Sequence, residues 1–595
     1  MRLPCDLQFA ATALLLFTSP VLARRIPVDT EEDNLGSRET PVRQVAIIGA
    51  GAAGSSAAYH LRKYAEEFNV PVNITIFEKT DRIGGRTLTI NPYDDPSQRL
   101  ELGASIFIEK NFILNKSVEE FGLQTKDPDV GFVDDNLGFW DGEKFVFEID
   151  MSRNWLVNMA RVIWKYGFSA PKKTQGLVAK TVERFLHLYE EPYFPFKSLT
   201  QRAYDLELTP ATGATGEEFL KANGIDVAYG TYAHDIVQAT TRVNYASNLG
   251  RIHGLDTMVS LASDNALAVQ GGNWQIFQKM VESSGASILR KTSVSSIAFA
   301  KSGTETTSPA RYSLKTVCSS STAKTAYPVE FDNVILANPY QFSNISIPEE
   351  VLDTPIENIN YVHLHVTIFT SPFSPSSEFF GFENPRAIPG AVLTTLGKND
   401  NATSGVEGAG SAGFFSISKL RRLMNPKTQK EEYAYKIFSP EKITPEFLSR
   451  FFGVKVPETF VAEPGQDPEA EGVSPITWYY PHEFFSYPKA KPRTQFQDPI
   501  VGPGFYYTSG MESFISTMET NALMGKNVAR LIVDDMRGVE SGGVQSRDGS
   551  LAPGQQLKMT CDRAGRGAGR AGVRKGGEVP KTRPTELPQM PLVDL

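Results

Sequence analysis

The chain of 595 residues contains only three cysteines and seven histidines. Cys5 falls in an N-terminal apolar stretch and Cys561 in the C-terminal tail, which leaves Cys318 alone in the body of the sequence. That set excludes a disulfide framework. The histidines offer no spacing with a third ligand in view, so no metal is expected. No apolar run is long enough for a permanent membrane anchor, so a stable membrane span is not expected either. The net charge is −8 and no basic stripe with interleaved aromatics occurs in the body of the chain. Nucleic acid is therefore not an expected partner. A catalytic triad is not evident.

What is present is ordinary for a soluble globular chain, with 41% hydrophobic and 22% charged residues. The length is ample for two domains and a large core. Arg2, the apolar run Phe9 to Phe17 and Val21-Leu22-Ala23 together read as a signal peptide over residues 1–23. A flexible linker follows over 24–42. The secretory pathway is expected, ending in a lysosome, a vacuole or the extracellular space. Asn-x-Ser/Thr triplets at Asn115, Asn344 and Asn401 are candidate glycosylation sites, whereas Asn73 opens an expected strand and is a poor acceptor. Beyond 537, glycine, arginine, serine and proline dominate without periodicity, which predicts a disordered tail.

The most informative stretch is Val45 to Arg86. A short β-branched run, Gln44 to Ile48, reads as a buried parallel strand. Gly49-x-Gly51-x-x-Gly54 follows at once. Gly49 permits the tight turn, Gly51 lets a pyrophosphate approach the backbone, and Gly54 allows close packing of the next helix on the sheet. Residues 52–67 read as that helix, whose N–H groups and dipole favour anionic phosphates. Val72 to Phe77 is the second strand, and Glu78 at its end can accept from both hydroxyls of a ribose. Gly84-Gly85-Arg86, close behind, moves the reading from NAD towards FAD.

The dinucleotide domain is expected to be discontinuous, over residues 43–110, 266–345 and 495–536. Residues 111–265 and 346–494 would form an inserted α+β substrate-binding domain. The expected fold class is thus α/β, a Rossmann-type FAD-binding domain carrying a second domain. Met151 to Tyr166 is amphipathic, and Trp155, Met159, Val162 and Trp164 are expected to be ordinary core or the wall of an apolar substrate pocket. Near the C-terminus an aromatic strand ends at Ser509-Gly510, and a long helix is expected to follow with Glu512 at its start, facing the flavin side of FAD.

Over roughly residues 43–535 the chain resembles the prenylcysteine oxidase (farnesylcysteine lyase) family of FAD-dependent thioether oxidases. The resemblance rests on Thr241-Arg242-Val243-Asn244-Tyr245, Ala268 to Asn273, Asn333 to Pro339, and Ser509-Gly510-Met511-Glu512 with Met518-Glu519 and Lys526-Asn527. A polar insertion around 400–412 and the tail depart from the family pattern. The resemblance implies contacts to FAD from Gly49, Gly51, Ala53, Gly54, Glu78 and Lys79. It implies further contacts from Gly84, Gly85, Arg86, Val294, Gly510 and Glu512. The implied reaction cleaves farnesyl- or geranylgeranylcysteine to cysteine, prenyl aldehyde and hydrogen peroxide, with molecular oxygen as acceptor. Hydride passes from prenyl C1 to flavin N5, water adds, and the hemithioacetal collapses. Another FAD oxidase or desaturase of the amine oxidase type, or a secreted flavoprotein without turnover, remains an alternative. His363, His365 and Tyr507 are weak candidates for assisting side chains, and Arg242 is a candidate partner for the substrate carboxylate.

Overall fold

The computed structural model describes residues 41–128, 136–262, 265–300, 311–461 and 474–539. The expected signal peptide, nearly all of the linker, and the tail beyond 539 lie outside the described residues, as do Cys5 and Cys561. The strands of the two large sheets, in chain order, are β1 (Arg43–Ile48), β2 (Val72–Phe77), β3 (Asn136–Trp140), β4 (Phe145–Asp150), β5 (Ser287–Leu289) and β6 (Asn333–Leu336). They continue with β7 (Tyr361–Ser371), β8 (Ala391–Thr394), β9 (Ser416–Met424), β10 (Glu431–Ser439), β11 (Trp478–Pro488), β12 (Ile500–Gly502) and β13 (Phe505–Tyr507).

The first sheet has the order β12-β13-β6-β1-β2-β5 and is parallel throughout except for β12 at its edge. Val45 pairs with Asn333 on one side of β1 and with Ile74 on the other. Val45, Ala46 and Ile47 are wholly buried, as a central parallel strand covered on both faces requires. Strands from three distant stretches of chain thus meet in one sheet.

Helix α1 (Ala52–Glu67) follows β1 and packs on α8, defined below, through an unusually close crossing. The intervening helices used here are α2 (Phe112–Glu120), α3 (Trp155–Tyr166), α4 (Ser169–Leu186), α5 (Gln238–Tyr245), α6 (Gly254–Ser260) and α7 (Trp274–Ser284); α8 is Met518–Met536. A Cβ at Gly525 of α8 would lie 2.2 Å from the Ala53 carbonyl oxygen, so only glycine fits the crossing. Ser56 Oγ donates to the Ala522 carbonyl at 2.6 Å and fixes the register of the two helices.

The second sheet has the order β11-β7-β10-β9-β8-β3-β4. It is antiparallel except where β8 runs parallel to β3. One face packs an aromatic cluster around Trp140, Phe369, Phe414, Tyr435 and Phe451. The other turns towards the dinucleotide end of the molecule.

Candidate functional site

The turn after β1 is shaped by Gly49, which has φ +105° and whose Cβ would lie 2.9 Å from the Ala337 carbonyl oxygen. Three residues into α1, a Cβ at Gly54 would lie 1.9 Å from the Gly49 carbonyl oxygen. Gly54 is therefore a packing position and does not itself line the cavity. Gly51, at the N-cap of α1, leaves the helix without a side-chain cap, and no acid occupies the first turn. The N–H groups there are left open to an anion.

Gly49, Gly51, Ala53, Glu78, Lys79 and Gly84 line a cavity of about 730 Å3, together with Gly85, Arg86, Val294 and Glu512. Gly85 has φ +59°, and a Cβ there would lie 3.0 Å from the Gly51 Cα. Any side chain at this point would close the gap between the two turns. Glu78 is buried, and its Oε2 accepts from the Ala50 N–H at 2.9 Å while Oε1 accepts from the Thr80 N–H and hydroxyl at 2.8 Å. Those bonds fix the carboxylate at the cavity wall with remaining lone pairs for a diol. The uncapped helix, the glycine gap and the fixed carboxylate fit the adenosine diphosphate half of FAD.

Arg86 lines the cavity beside two of its other lining residues, Ser486 and Glu512. Its Nη2 lies 2.7 Å from Glu512 Oε1, and Nη1 donates to the Ser486 carbonyl at 2.6 Å. Tyr361 donates its hydroxyl proton to Glu512 Oε2 at 3.0 Å. Burial opposes the charge on Arg86, but the neighbouring Glu512 more than offsets it and holds the guanidinium above its ordinary pKa. Glu512 thus serves Arg86 and Tyr361 first. Gly510 does not line the cavity; its Cβ would lie 2.5 Å from the Gln497 carbonyl oxygen, so it is a packing glycine. The long helix begins at Met518 rather than at Gly510. A short 3-10 turn, Ser509–Ser513, intervenes, and Thr517 and Thr520 form the capping box of α8. Met518, Glu519 and Asn521 of that N-terminus line the cavity.

The far end of the cavity is apolar. Leu364 and Val366 of β7, Leu393 of β8, Leu420 of β9, and Phe438 of β10 contribute. Helices add Phe185 of α4, Tyr245 of α5 and Val259 of α6. Ser416, Ser418 and Lys436 bring polar groups to the same wall. Lys436 is buried, and its Nζ donates to Ser105 Oγ at 3.1 Å and the Glu101 carbonyl at 3.2 Å. Sequence reasoning missed Lys436 and the serines, because only the strand pairing reveals which alternate positions face inward.

The same alternation corrects the histidines. Leu364 and Val366 face the cavity, so His363 and His365 point to the other side of β7. There His363 Nε2 meets Glu483 at 3.2 Å and His365 Nδ1 lies 3.8 Å from the same carboxylate. Tyr507 is also off the cavity, buried among Ala46, Leu336 and Phe505, with its hydroxyl accepting from the Tyr340 N–H at 3.4 Å. Arg242 is corrected too. It is fully buried away from the cavity, with Nε donating to Thr394 Oγ1 at 2.9 Å and Nη1 to Asn248 Oδ1 at 2.8 Å. Its other donors reach the carbonyls of Gly408, Ala409 and Phe414. Burial among neutral acceptors pushes its pKa down to about 9. Arg242 holds the 400–412 insertion in place.

Asn115 is built into α2, its amide donating to the carbonyls of Ile108, Glu109 and Asn111. Ser117 of the same triplet is buried. A glycan would replace one of the two N–H groups that make these bonds, so the folded helix disfavours Asn115 as an acceptor. Asn344 and Asn401 are exposed. Trp155 and Trp164, expected in core or pocket wall, are in neither; Trp164 is 91% exposed. Among the described residues no helix is long and apolar enough to cross a membrane.

Residues 149–542 match the prenylcysteine lyase family, and residues 47–120 match the NAD(P)-binding Rossmann-like domain. Farnesylcysteine lyase of Arabidopsis thaliana is 27% identical over 559 residues, covering 90% of this chain and 96% of that protein. Prenylcysteine oxidase 1 of Pongo abelii is 26% identical over 503 residues, covering 82% of this chain and 89% of that protein. Among solved structures, cyclohexylamine oxidase from Brevibacterium oxydans overlays with a TM-score of 0.48 at 15% identity, covering 84% of this chain and 100% of that one. By the extent of the family match, this chain belongs to the prenylcysteine lyase family.

Proposed function

We propose that the protein is an FAD-dependent oxidase that splits the thioether of a prenylated cysteine into cysteine, a prenyl aldehyde and hydrogen peroxide. The observation that carries this reading is the continuity of one cavity from the cradle at Gly51 and Glu78 to the apolar face of the second sheet. The names of the relatives, a farnesylcysteine lyase and a prenylcysteine oxidase, support the substrate class.

When bound, FAD supplies a two-electron acceptor for a carbon-bound hydride and passes the electrons to molecular oxygen. The chain supplies binding and position. Glu78 would take the ribose diol, and the open N–H groups at the start of α1 would take the diphosphate. Leu364, Val366, Leu393 and Phe438 would bury the farnesyl or geranylgeranyl chain. At about 25 cal/mol per Å2 of apolar area, that burial dominates affinity. The prenyl carbon next to sulfur is also allylic, so positive charge there is stabilised twice and the protein needs no strong base. Water adds at that carbon, and collapse of the hemithioacetal releases cysteine and aldehyde with loss of one proton. Ser416, Ser418 and Lys436 are the polar groups on this wall for the amino-acid end or the water. Secretory-pathway delivery to a lysosome, a vacuole or the exterior belongs to the same reading, supported by the exposed acceptors Asn344 and Asn401.

The test is purification followed by cofactor release and a substrate panel. Stoichiometric FAD, with farnesylcysteine consumed far faster than aliphatic or aromatic amines, is expected. Turnover of amines alone would overturn the substrate assignment, and a chain without FAD would overturn the cofactor.

A further inference from the structure

Helix α3 turns apolar side chains outward. Its inner face is Asn158 and Val162, both buried. One residue in an α-helix turns the chain by about 100°, which places Leu156, Val157, Ala160 and Trp164 together on the opposite side. Leu156 is 54% exposed, Val157 43% and Trp164 91%, and Phe168 at the start of the next helix is 57% exposed. Solvent-facing helix surfaces are ordinarily polar. A contiguous apolar patch with two large aromatic side chains marks a surface that meets something other than water.

Charge identifies what it meets. The whole chain carries −8, yet no Asp or Glu occurs between Met151 and Val182. Arg161, Lys172, Lys173 and Lys180 lie in that span, and the Lys172 ammonium sits 5.2 Å above the Phe168 ring. Lys165 is committed to the buried Asp235 at 2.9 Å, and Arg153 to Asp150 at 2.7 Å, so neither adds free positive charge. Exposed Trp and Leu on the short helix α3, with Phe168 and the lysines of α4 beside them, have the composition of a segment lying in a bilayer interface. Twelve residues are too few to span one.

We propose that α3 and the start of α4 dock the protein on an anionic lipid surface. Helix α4 runs from its N-cap Phe168 at this patch to Val182, Phe185 and Leu186 on the cavity wall, about 21–27 Å along its axis. A lipid-borne ligand would therefore leave the bilayer beside the element that walls the cavity. The docking is read without any substrate, so it stands or falls apart from the activity proposed above.

The experiment is co-sedimentation of the full chain with sucrose-loaded vesicles of phosphatidylcholine, with and without phosphatidylserine. Binding to the anionic vesicles is expected, with release at high salt and a blue shift of tryptophan emission. Trp164→Ser and Leu156→Ser should each lower partitioning by about tenfold. Both side chains are solvent-exposed, and unchanged FAD content and melting temperature will show that the variants fold. Absence of vesicle binding, or binding indifferent to both substitutions, overturns the proposal. Concentration-dependent dimerisation lost in Trp164→Ser, without vesicle binding, would assign the face to a second copy and also overturn it.

Discussion

The Arg86 guanidinium and the Glu512 carboxylate meet at 2.7 Å, joining the loop after β2 to the turn before α8. Tyr361 of the second sheet bonds the same carboxylate at 3.0 Å, so one acid ties both sheets together beside the cavity. Glu512→Gln keeps an acceptor for Tyr361 but leaves Arg86 without its counter-charge. Arg86 is partly open to the cavity, which moderates the loss. We expect a destabilisation of about 2–3 kcal/mol and weaker FAD retention, read by thermal melting and by the flavin content of the purified variant.

Gly51 faces the gap that Gly85, lacking a side chain, keeps open. Its φ of −79° accepts any L-residue, so a side chain here fills ligand space without straining the backbone. Gly51→Val should weaken FAD binding by about 3 kcal/mol, roughly 100-fold, while leaving the melting temperature of the apoprotein unchanged. A variant that stays yellow with wild-type affinity would remove the cradle assignment.

Glu519 at the start of α8 is buried, which raises its pKa to about 7 despite the N–H groups of Ile113 and Leu114 donating to it. A carboxyl whose folded pKa lies above its unfolded value binds more protons when folded. Its contribution therefore falls as pH rises from about 4.5 to about 7, by up to about 3 kcal/mol. Glu519→Gln loses one hydrogen bond, a cost of about 1 kcal/mol at every pH, and removes the titration. Denaturant unfolding between pH 5 and 8 should show the variant gaining on the wild type as pH rises. A constant difference would contradict the buried titration.

Arg242→Lys replaces five fixed donors with three and leaves buried carbonyls of the 408–414 stretch without partners. A loss of about 2–4 kcal/mol in stability is expected, with KM for prenylcysteine unchanged in the surviving fold. A raised KM at full stability would instead restore Arg242 as a substrate contact.

How much of this the sequence disclosed depends on the range of the interactions. The unit from β1 through α1 to β2 and Glu78 is local, and glycine spacing, strand composition and the terminal acid mark it within the stretch Val45 to Arg86. The start of α8 is also written locally, in Thr517 and Thr520, but the aromatic strand before Gly510 points to an earlier helix boundary. The apolar wall is non-local. In Tyr361 to Phe369 polar and apolar residues alternate, yet only the register against β10 and β11 shows that Leu364 faces the cavity and His363 does not. Arg242 reads as a free charge until the carbonyls of residues 408–414 fold around it. The outward face of α3 inverts the usual rule that apolar periodicity points to the core, so periodicity alone places Trp164 inside.

The most direct test of the central claim is the product balance of the purified protein given farnesylcysteine and oxygen. One cysteine, one farnesal and one hydrogen peroxide are expected for each substrate and oxygen consumed. Cleavage that yields cysteine and a prenyl alcohol with no oxygen uptake would contradict an oxidase, and so would intact substrate in the presence of bound FAD.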